Sequence, residues 1–385
     1  ILDLAGIPLH AGERTAADPL VIGGGPCTYN PEPLADFFDL FYIGEGEVVY
    51  DALFDAYLEN RKAGGSRQDF LKKAAGIPGI YVPSLYKAAY HEDGTLADFQ
   101  PLCPEAPKTV EKQLVLDFDS VSYPEAPVVP YLKAAQDRVV LEIQRGCIRG
   151  CRFCQAGMIY RPLREKNLKT LKEKAEAMLR STGYEEISLS SLSSSDYSQL
   201  PELLDHLIAD CDRRHVNISL PSLRIDAFSL DVMSKVQDVK KSSLTFAPEA
   251  GSQRMRDVIN KGLTEEDILK GAGQAFEGGW NKVKLYFMLG LPTETEEDIL
   301  AIAELCEKVA ERYYDIPKEQ RNGKCQITAS SSFFVPKPFT PFQWASMNTK
   351  EQFLEKARLL KEIIRSNKNQ KIIKYNYHES DVSVR

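Results

Sequence analysis

The 385-residue sequence has no uninterrupted apolar run of the roughly 18–20 residues that a membrane helix requires. No charged n-region precedes an apolar stretch either, since Ile1 opens on Leu-Asp-Leu-Ala-Gly. The chain therefore reads as cytoplasmic, with no membrane partner. A natural chain begins with Met, so Ile1 and the stop at Arg385 read as the ends of a piece of something longer. Histidine is scarce at five residues, and no internal repeat is visible. Positive charge is also in deficit, with a net −7. That balance excludes indiscriminate nucleic-acid binding, whose affinity comes mainly from phosphate neutralisation.

What is present suits a globular protein. Hydrophobic residues make up 43% and charged residues 27%, enough to bury a full core at this length and to exclude disorder as the main state. The charge is uneven: residues 1–137 carry a net −11, residues 138–180 a net +7, and residues 350–374 a net +5. Each basic stretch is either a solvated helix face or a surface for an anion or RNA.

Three regions follow from the pattern. In residues 1–75 the apolar runs Pro19 to Ile22 and Leu40 to Ile43 break into Gly23-Gly24-Gly25-Pro26 and Gly44-Glu45-Gly46-Glu47, and a helical pattern spans Glu47 to Tyr57. This reads as the C-terminal remnant of a doubly wound α/β domain. The glycines are either close-approach loops for a ligand or plain turns. Residues 76–135 read as a hairpin, Ile80 to Tyr90 turning at Asp93-Gly94 into Leu96 to Leu102, followed by a proline-rich linker.

From residue 136 to 385 strands and helices alternate. Strands are expected at Val139 to Gln144, Glu186 to Ser190, Asn217 to Leu220, Ser243 to Phe246, Lys282 to Met288 and Gln326 to Phe334. Helices are expected at Lys169 to Ser181, Leu200 to Arg213, Glu265 to Glu277, Glu296 to Arg312 and Lys350 to Ser366. Six βα units with right-handed crossovers give a partial (β/α)6 barrel, with ligands at the carboxyl ends of its strands.

Directly after the first of these strands, Cys147, Cys151 and Cys154 form C-x3-C-x2-C. The other five cysteines are scattered and read as small buried hydrophobes in a reducing compartment. Thiolates suit zinc or iron-sulfur clusters. Structural zinc wants four ligands, and the nearest histidines, His91 and His206, lie far away in the sequence. Three thiolates suit a 4Fe-4S cluster with one iron left open, and Gly146 and Gly150 give the loop room to fold around it.

This spacing, with Phe153 before the third cysteine, resembles the radical S-adenosylmethionine (SAM) enzymes over about Arg138 to Asn367. The resemblance implies a 4Fe-4S cluster on Cys147, Cys151 and Cys154 that binds SAM and cleaves it reductively to a 5'-deoxyadenosyl radical. It also implies an electron donor such as flavodoxin or ferredoxin. The family's Gly-Gly-Glu-like element after the second strand is replaced by Ser190-Ser191-Leu192-Ser193-Ser194-Ser195-Asp196, where Ser191 either takes over the amine contact or belongs to a solvated loop. Arg224, after the third strand, matches a carboxylate-binding arginine or forms an ordinary ion pair. Glu249, after the fourth, matches an acid that bonds the ribose or caps the next helix. Gly290, in Met288-Leu289-Gly290-Leu291-Pro292-Thr293-Glu294, matches a turn near the adenine, and Glu294 matches the acid of that turn or sits in the first turn of a helix.

The first 60 residues resemble the end of the cobalamin-binding domain that precedes many such enzymes, which marks Gly24, Gly25 and Gly44 as ligand-loop candidates. Val335-Pro336-Lys337-Pro338-Phe339-Thr340-Pro341-Phe342 resembles the same branch, and the nearest likeness is to an uncharacterised bacterial subfamily. An Asp-x-His-x-x-G cobalamin motif is absent: His91-Glu92-Asp93-Gly94 has Ala89 where the acid would stand. Cobalamin is thus expected only in a longer protein, held without a histidine ligand. The implied activity is cobalamin-assisted methylation or another C–H functionalisation of an unnamed substrate, RNA remaining open. A tRNA or rRNA methylthiotransferase is the alternative, though only Cys27 and Cys103 precede Cys147, too few for its auxiliary cluster. A non-catalytic iron-sulfur electron-transfer or scaffold protein would have no need of Arg224, Glu249 and the strand-end glycines.

Overall fold

The computed structural model describes residues 1–132, 134–219, Ile225 and 244–384. The chain divides into two compact units, Ile1–Val121 and Ser122–Arg385. In the first, β1 (Ile22–Gly23) pairs in parallel with β2 (Leu40–Tyr42). Two helices follow, α1 (Tyr50–Lys62) and α2 (Arg67–Ala75), before β3 (Ile80–Tyr81) joins β2 antiparallel. Leu40, Leu53, Phe70, Leu71 and Ile80 share one buried cluster, each such side chain worth about 1.5–3 kcal/mol on burial. Ser66 and Asp69 form a capping box on α2, satisfying N–H groups that a first helical turn leaves open. Buried Asp39 takes Arg14 at 2.9 Å and Arg67 at 2.8 Å.

This unit differs from the sequence reading in three places. Only Ile22 and Gly23 of the first glycine-ended run are strand. The helix starts at Tyr50 because residues Gly46–Val48 form a separate 3-10 turn. The hairpin consists of β4 (Tyr86–Tyr90) and β5 (Leu96–Pro101) alone. Ile80 and Tyr81 belong to the other sheet, because a 3-10 turn at Pro83–Leu85 interrupts the run where proline removes a ladder donor.

In the second unit β6 (Val139–Glu142) leads through β7 (Gln144–Arg145) to the cysteine loop and α3 (Gln155–Ile159). The chain returns in β8 (Arg164–Glu165), antiparallel to β7. Then come α4 (Leu168–Thr182), β9 (Glu186–Ser190), α5 (Leu200–Arg214) and β10 (Asn217–Ser219). β9 lies between β6 and β10, parallel to both. The chain continues with β11 (Leu244–Glu249), α6 (Gln253–Val258), α7 (Glu265–Glu277), β12 (Lys282–Leu289), α8 (Glu296–Tyr314), β13 (Gln326–Phe333), α9 (Lys350–Ser366), β14 (Ile373–Tyr377) and α10 (Ser380–Val384). β11, β12, β13 and β14 are parallel neighbours in that order.

Alternation explains the layering. On β12, Val283, Leu285, Phe287 and Leu289 are buried with Ile299, Ile302, Phe353 and Leu360 of α8 and α9. Lys284, Tyr286 and Met288 point the other way, as period-two geometry requires. The expected parallel strands are present, with a seventh, β14, that the basic run around Lys368–Lys374 conceals. The break between units falls at Val121–Ser122, ahead of the position near 135 read from the prolines. The Tyr123 hydroxyl donates to Val140 O and accepts from Glu142 N, and Ser181 Oγ donates to Glu125 O at 2.6 Å, tying this stretch to the barrel.

Candidate functional site

The cysteine loop leaves the carboxyl end of β6, and β7–β8 pairing closes its base. Gly146, at φ +94°, is required there: a Cβ would lie 2.7 Å from both Tyr160 O and Pro162 O. All three thiols are partly exposed. Cys147 Sγ accepts from Arg149 N at 3.4 Å and Cys154 Sγ from Gly157 N at 3.3 Å, contacts that favour negative charge on sulfur. Burial instead pushes the Cys306 and Cys325 thiols up to about 12. They stay protonated and inert, and Cys211 is buried with them, but Cys27 is exposed and Cys103 half-buried, so the reading of all five scattered cysteines as buried hydrophobes holds for three.

Two neighbouring loops hold this segment. Toward β11, Arg152 N donates to Ile259 O at 2.9 Å, and Asn260 Nδ2 donates to Gly150 O at 2.9 Å. Toward β9, Arg149 Nε donates to Asp196 Oδ2 at 2.9 Å while its second nitrogen reaches Asp196 Oδ1. Ser193 Oγ also donates to Asp196, at 2.7 Å, and Ser191 Oγ lies 2.9 Å from Ser194 Oγ. Gln144 Nε2 donates to Ser193 O at 2.7 Å, and its buried Oε1 has no partner among the described residues. The serine loop is thus internally bonded. The Arg149–Asp196 pair is a functional-site feature that sequence reasoning missed, although both residues stand inside the strings that drew attention.

Glu249 ends β11 at φ +69°. Its carboxyl is largely buried and accepts from Lys261 Nζ at 3.3 Å. Burial raises its pKa and Lys261 opposes the rise. It does not cap α6, whose N-cap is Ser252, bonded to Met255 N at 3.1 Å. Phe153 packs against Ala250, Met255, Ile259, Leu291 and Phe334, with Lys261 Nζ 6.0 Å from its ring centre. The cysteine loop and the β11 loop therefore share one apolar patch. Fully buried Arg256 holds that turn by donating to Ala250 O, Gly251 O and Leu263 O.

Gly290 has φ +82°, and a Cβ there would lie 2.5 Å from Phe353 Cε1. Its close approach is therefore to α9 of this chain. Glu294 stands ahead of α8, whose N-cap is Thr295, and so is not in its first turn: burial raises its pKa against the opposing Lys356 at 2.7 Å and the Gly290 N–H at 2.9 Å. In the first unit Gly24 and Gly25 follow β1, and a Cβ on either would meet nothing within 4 Å. Gly44 is already occupied, because a Cβ would sit 2.4 Å from Gln113 O, whose strand-like segment bridges it. Arg224 lies outside the described residues.

The donor set fits an iron-sulfur cluster better than a single ion. Among the described residues no three His, Cys, Asp or Glu side chains are gathered to hold one metal ion. Zinc would need thiolates converging to about 2.3 Å from one point. A four-iron cluster would take each thiolate on a different iron, which suits three partly exposed sulfurs on one loop, two of them accepting from backbone N–H groups.

Comparison with known proteins bears on both units. Residues 1–83 match the family described as Radical SAM proteins, N-terminal, and residues 141–306 the Radical SAM superfamily. The uncharacterised protein MJ0966 of Methanocaldococcus jannaschii is 34% identical over 351 residues, covering 90% of this chain and 67% of that protein. An uncharacterised methyltransferase, PH0819, of Pyrococcus horikoshii is 23% identical, covering 75% of this chain and 58% of that protein. The structure of the radical SAM methyltransferase TsrM from Kitasatospora setae, with cobalamin and a 4Fe-4S cluster bound, superposes with a TM-score of 0.52 at 15% identity. It covers 83% of this chain and 58% of TsrM, a likeness of fold. The chain thus spans about two thirds of the first relative and less of the other two. No helix among the described residues is long and apolar enough to cross a membrane. With its barrel residues matching that family and a 34%-identical relative covered across two thirds of its length, the chain belongs to the radical SAM superfamily of enzymes.

Proposed function

We propose that Cys147, Cys151 and Cys154 hold a 4Fe-4S cluster at which SAM is bound and reductively cleaved, and that the longer protein uses the product for cobalamin-assisted methylation or another C–H functionalisation. The observation that carries this reading is the position of the thiols at the carboxyl end of the first strand of a parallel α/β barrel, the face where such folds gather ligands. When bound, the cluster would supply the electron that breaks a carbon–sulfur bond of SAM to give the 5'-deoxyadenosyl radical, with cobalamin carrying a methyl group.

The chain's own residues bind and orient. The N–H groups of Arg149 and Gly157 stabilise charge on two of the sulfurs. Arg149 and Asp196 fix the cysteine loop against the serine loop, where Ser191 and backbone carbonyls face the methionyl amine. Glu249 accepts from the ribose hydroxyls, Arg224 takes the carboxylate as a fork of donors, and Phe153 and the Gly290 turn border the base. Gly24 and Gly25 are two of the open glycines of the first unit, and cobalamin there would be held by backbone and shape. Support for methyl transfer comes from the names of PH0819 and TsrM. An electron donor of the flavodoxin or ferredoxin kind completes the reaction.

The test is anaerobic reconstitution with iron and sulfide, reduction with dithionite, and assay for 5'-deoxyadenosine with and without cobalamin. Formation of 5'-deoxyadenosine from SAM is expected. A fully loaded chain that releases none refutes the radical reading. A full-length protein that fails to bind cobalamin in equilibrium dialysis refutes the methyl-transfer part alone.

A further inference from the structure

One face of the β4–β5 hairpin lines a cleft of about 510 Å3 that lies wholly within the first unit. Ala88 stands opposite Phe99 across the hairpin and Tyr86 lies two residues before Ala88, so the three share that face. A two-stranded hairpin is marginal by itself, and this one is held by its rings. Tyr86 stacks on Phe99 with ring centres 5.3 Å apart, Tyr81 follows at 5.0 Å from Tyr86, and the Tyr86 hydroxyl donates to Pro107 O at 2.7 Å. Phe38 completes the aromatic lining.

The rest of the wall is acidic. The 3-10 helix Glu32–Phe37 brings Glu32 and Asp36 to the cleft, and Asp39 lines it as well. Asp39 is neutralised by Arg14 and Arg67. Glu32 accepts from the Tyr81 hydroxyl, a neutral donor that leaves its charge in place, and Asp36 meets no cation among the described residues. No lysine or arginine is among the described residues that line the cleft. Cross-strand stacking accounts for the Tyr86–Phe99 pair, but not for two uncompensated carboxylates in the lining of the same cleft. Together they select one chemistry: a cation whose charge is spread over alkyl groups is attracted both by the negative ring faces and by the carboxylates, whereas an anion is repelled. The volume falls in the range of small-molecule sites, roughly 300–1,000 Å3. Gly24, Gly25 and Gly44 do not line the cleft, so it is separate from the loops proposed for cobalamin.

We infer that this cleft of the first unit binds a small organic cation carrying an alkylated ammonium head, with Phe99 and Tyr81 taking the alkyl groups and Asp36 and Glu32 the charge. The test needs neither cluster nor SAM, so it stands or falls apart from the radical reading. The purified chain is titrated calorimetrically at low salt with choline, with dimethylbutanol as the neutral carbon isostere of choline, and with ammonium chloride. Wild type is expected to bind choline at least tenfold more tightly than either of the others. Asp36→Asn and Phe99→Leu, which keep size and apolar bulk, should each weaken choline binding at least fivefold. Phe99→Tyr should retain it, as should Glu92→Gln, an exposed acid at the hairpin turn outside the lining. No choline binding by wild type, equal affinity for dimethylbutanol or for ammonium, or wild-type affinity in both Asp36→Asn and Phe99→Leu overturns the site.

Discussion

Arg149 and Asp196 join the cysteine loop to the loop after β9 through a two-pronged ion pair, with Asp196 also accepting from Ser193. The Asp196 side chain is 7% exposed and that of Arg149 32%, so the pair is only partly screened by water. Asp196→Asn keeps the shape and removes the charge. It should lower stability by about 1–3 kcal/mol and reduce iron bound per reconstituted chain. Urea unfolding and iron analysis read the two effects, and no change in either would show that the pair positions nothing.

Single Cys147→Ala, Cys151→Ala and Cys154→Ala variants should each lose the cluster, measured as iron and acid-labile sulfide. Cys306→Ala should not, because that thiol is buried and protonated. Wild-type iron in any of the three loop variants would dismantle the ligand assignment.

Loss of Arg224 or Glu249 is expected to act on SAM rather than on iron. Arg224→Ala and Glu249→Ala should each weaken SAM binding by about 1–3 kcal/mol for a lost charge-assisted contact, with the cluster still in place. Binding isotherms on reconstituted protein decide this, and wild-type affinity in both variants would remove these residues from the site.

Glu249 also sets a pH dependence of known sign. Burial raises its pKa in the folded chain above the ordinary 4.5. Its contribution to stability is therefore complete below pH 4.5 and drains away as pH rises through the folded value. Glu249→Gln should flatten that part of the profile, and Lys261→Met should steepen it by removing the opposing charge. Urea midpoints from pH 4.5 to 8 test this. A wild-type slope in Glu249→Gln would assign the dependence to another group.

Gly251 offers a packing test. A Cβ there would lie 2.2 Å from Ile302 N, a backbone atom within α8, so no side-chain rearrangement can relieve it. Gly251→Ala should cost about 1–3 kcal/mol or more, whereas Gly273→Ala, inside α7 where a Cβ meets nothing within 4 Å, should be stabilising by up to about 1 kcal/mol. Equal melting temperatures for the two variants would mean the turn yields freely.

The barrel was legible because its apolar runs end in clear punctuation. Glu265–Glu277 and Lys350–Ser366 are helices to the residue, each opened by a threonine cap. β14 was hidden because Ile373–Tyr377 alternates lysine, tyrosine and asparagine with little apolar signal. The thiol spacing was readable as chemistry, but glycine roles were not. Gly44 makes room for Gln113 and Gly290 for Phe353, partners remote in sequence that no local pattern announces. The Arg149–Asp196 pair was missed for the same reason.

The phenol of Tyr123 occupies Val140 O and Glu142 N on the outer side of β6. β6 ends its three-stranded sheet, and a bare row of N–H and C=O groups there would template pairing with a strand from another molecule. One hydroxyl, acting as donor and acceptor at once, imitates the two bonds of an absent strand. It thereby takes one acceptor and one donor of the β6 edge out of reach of an incoming strand.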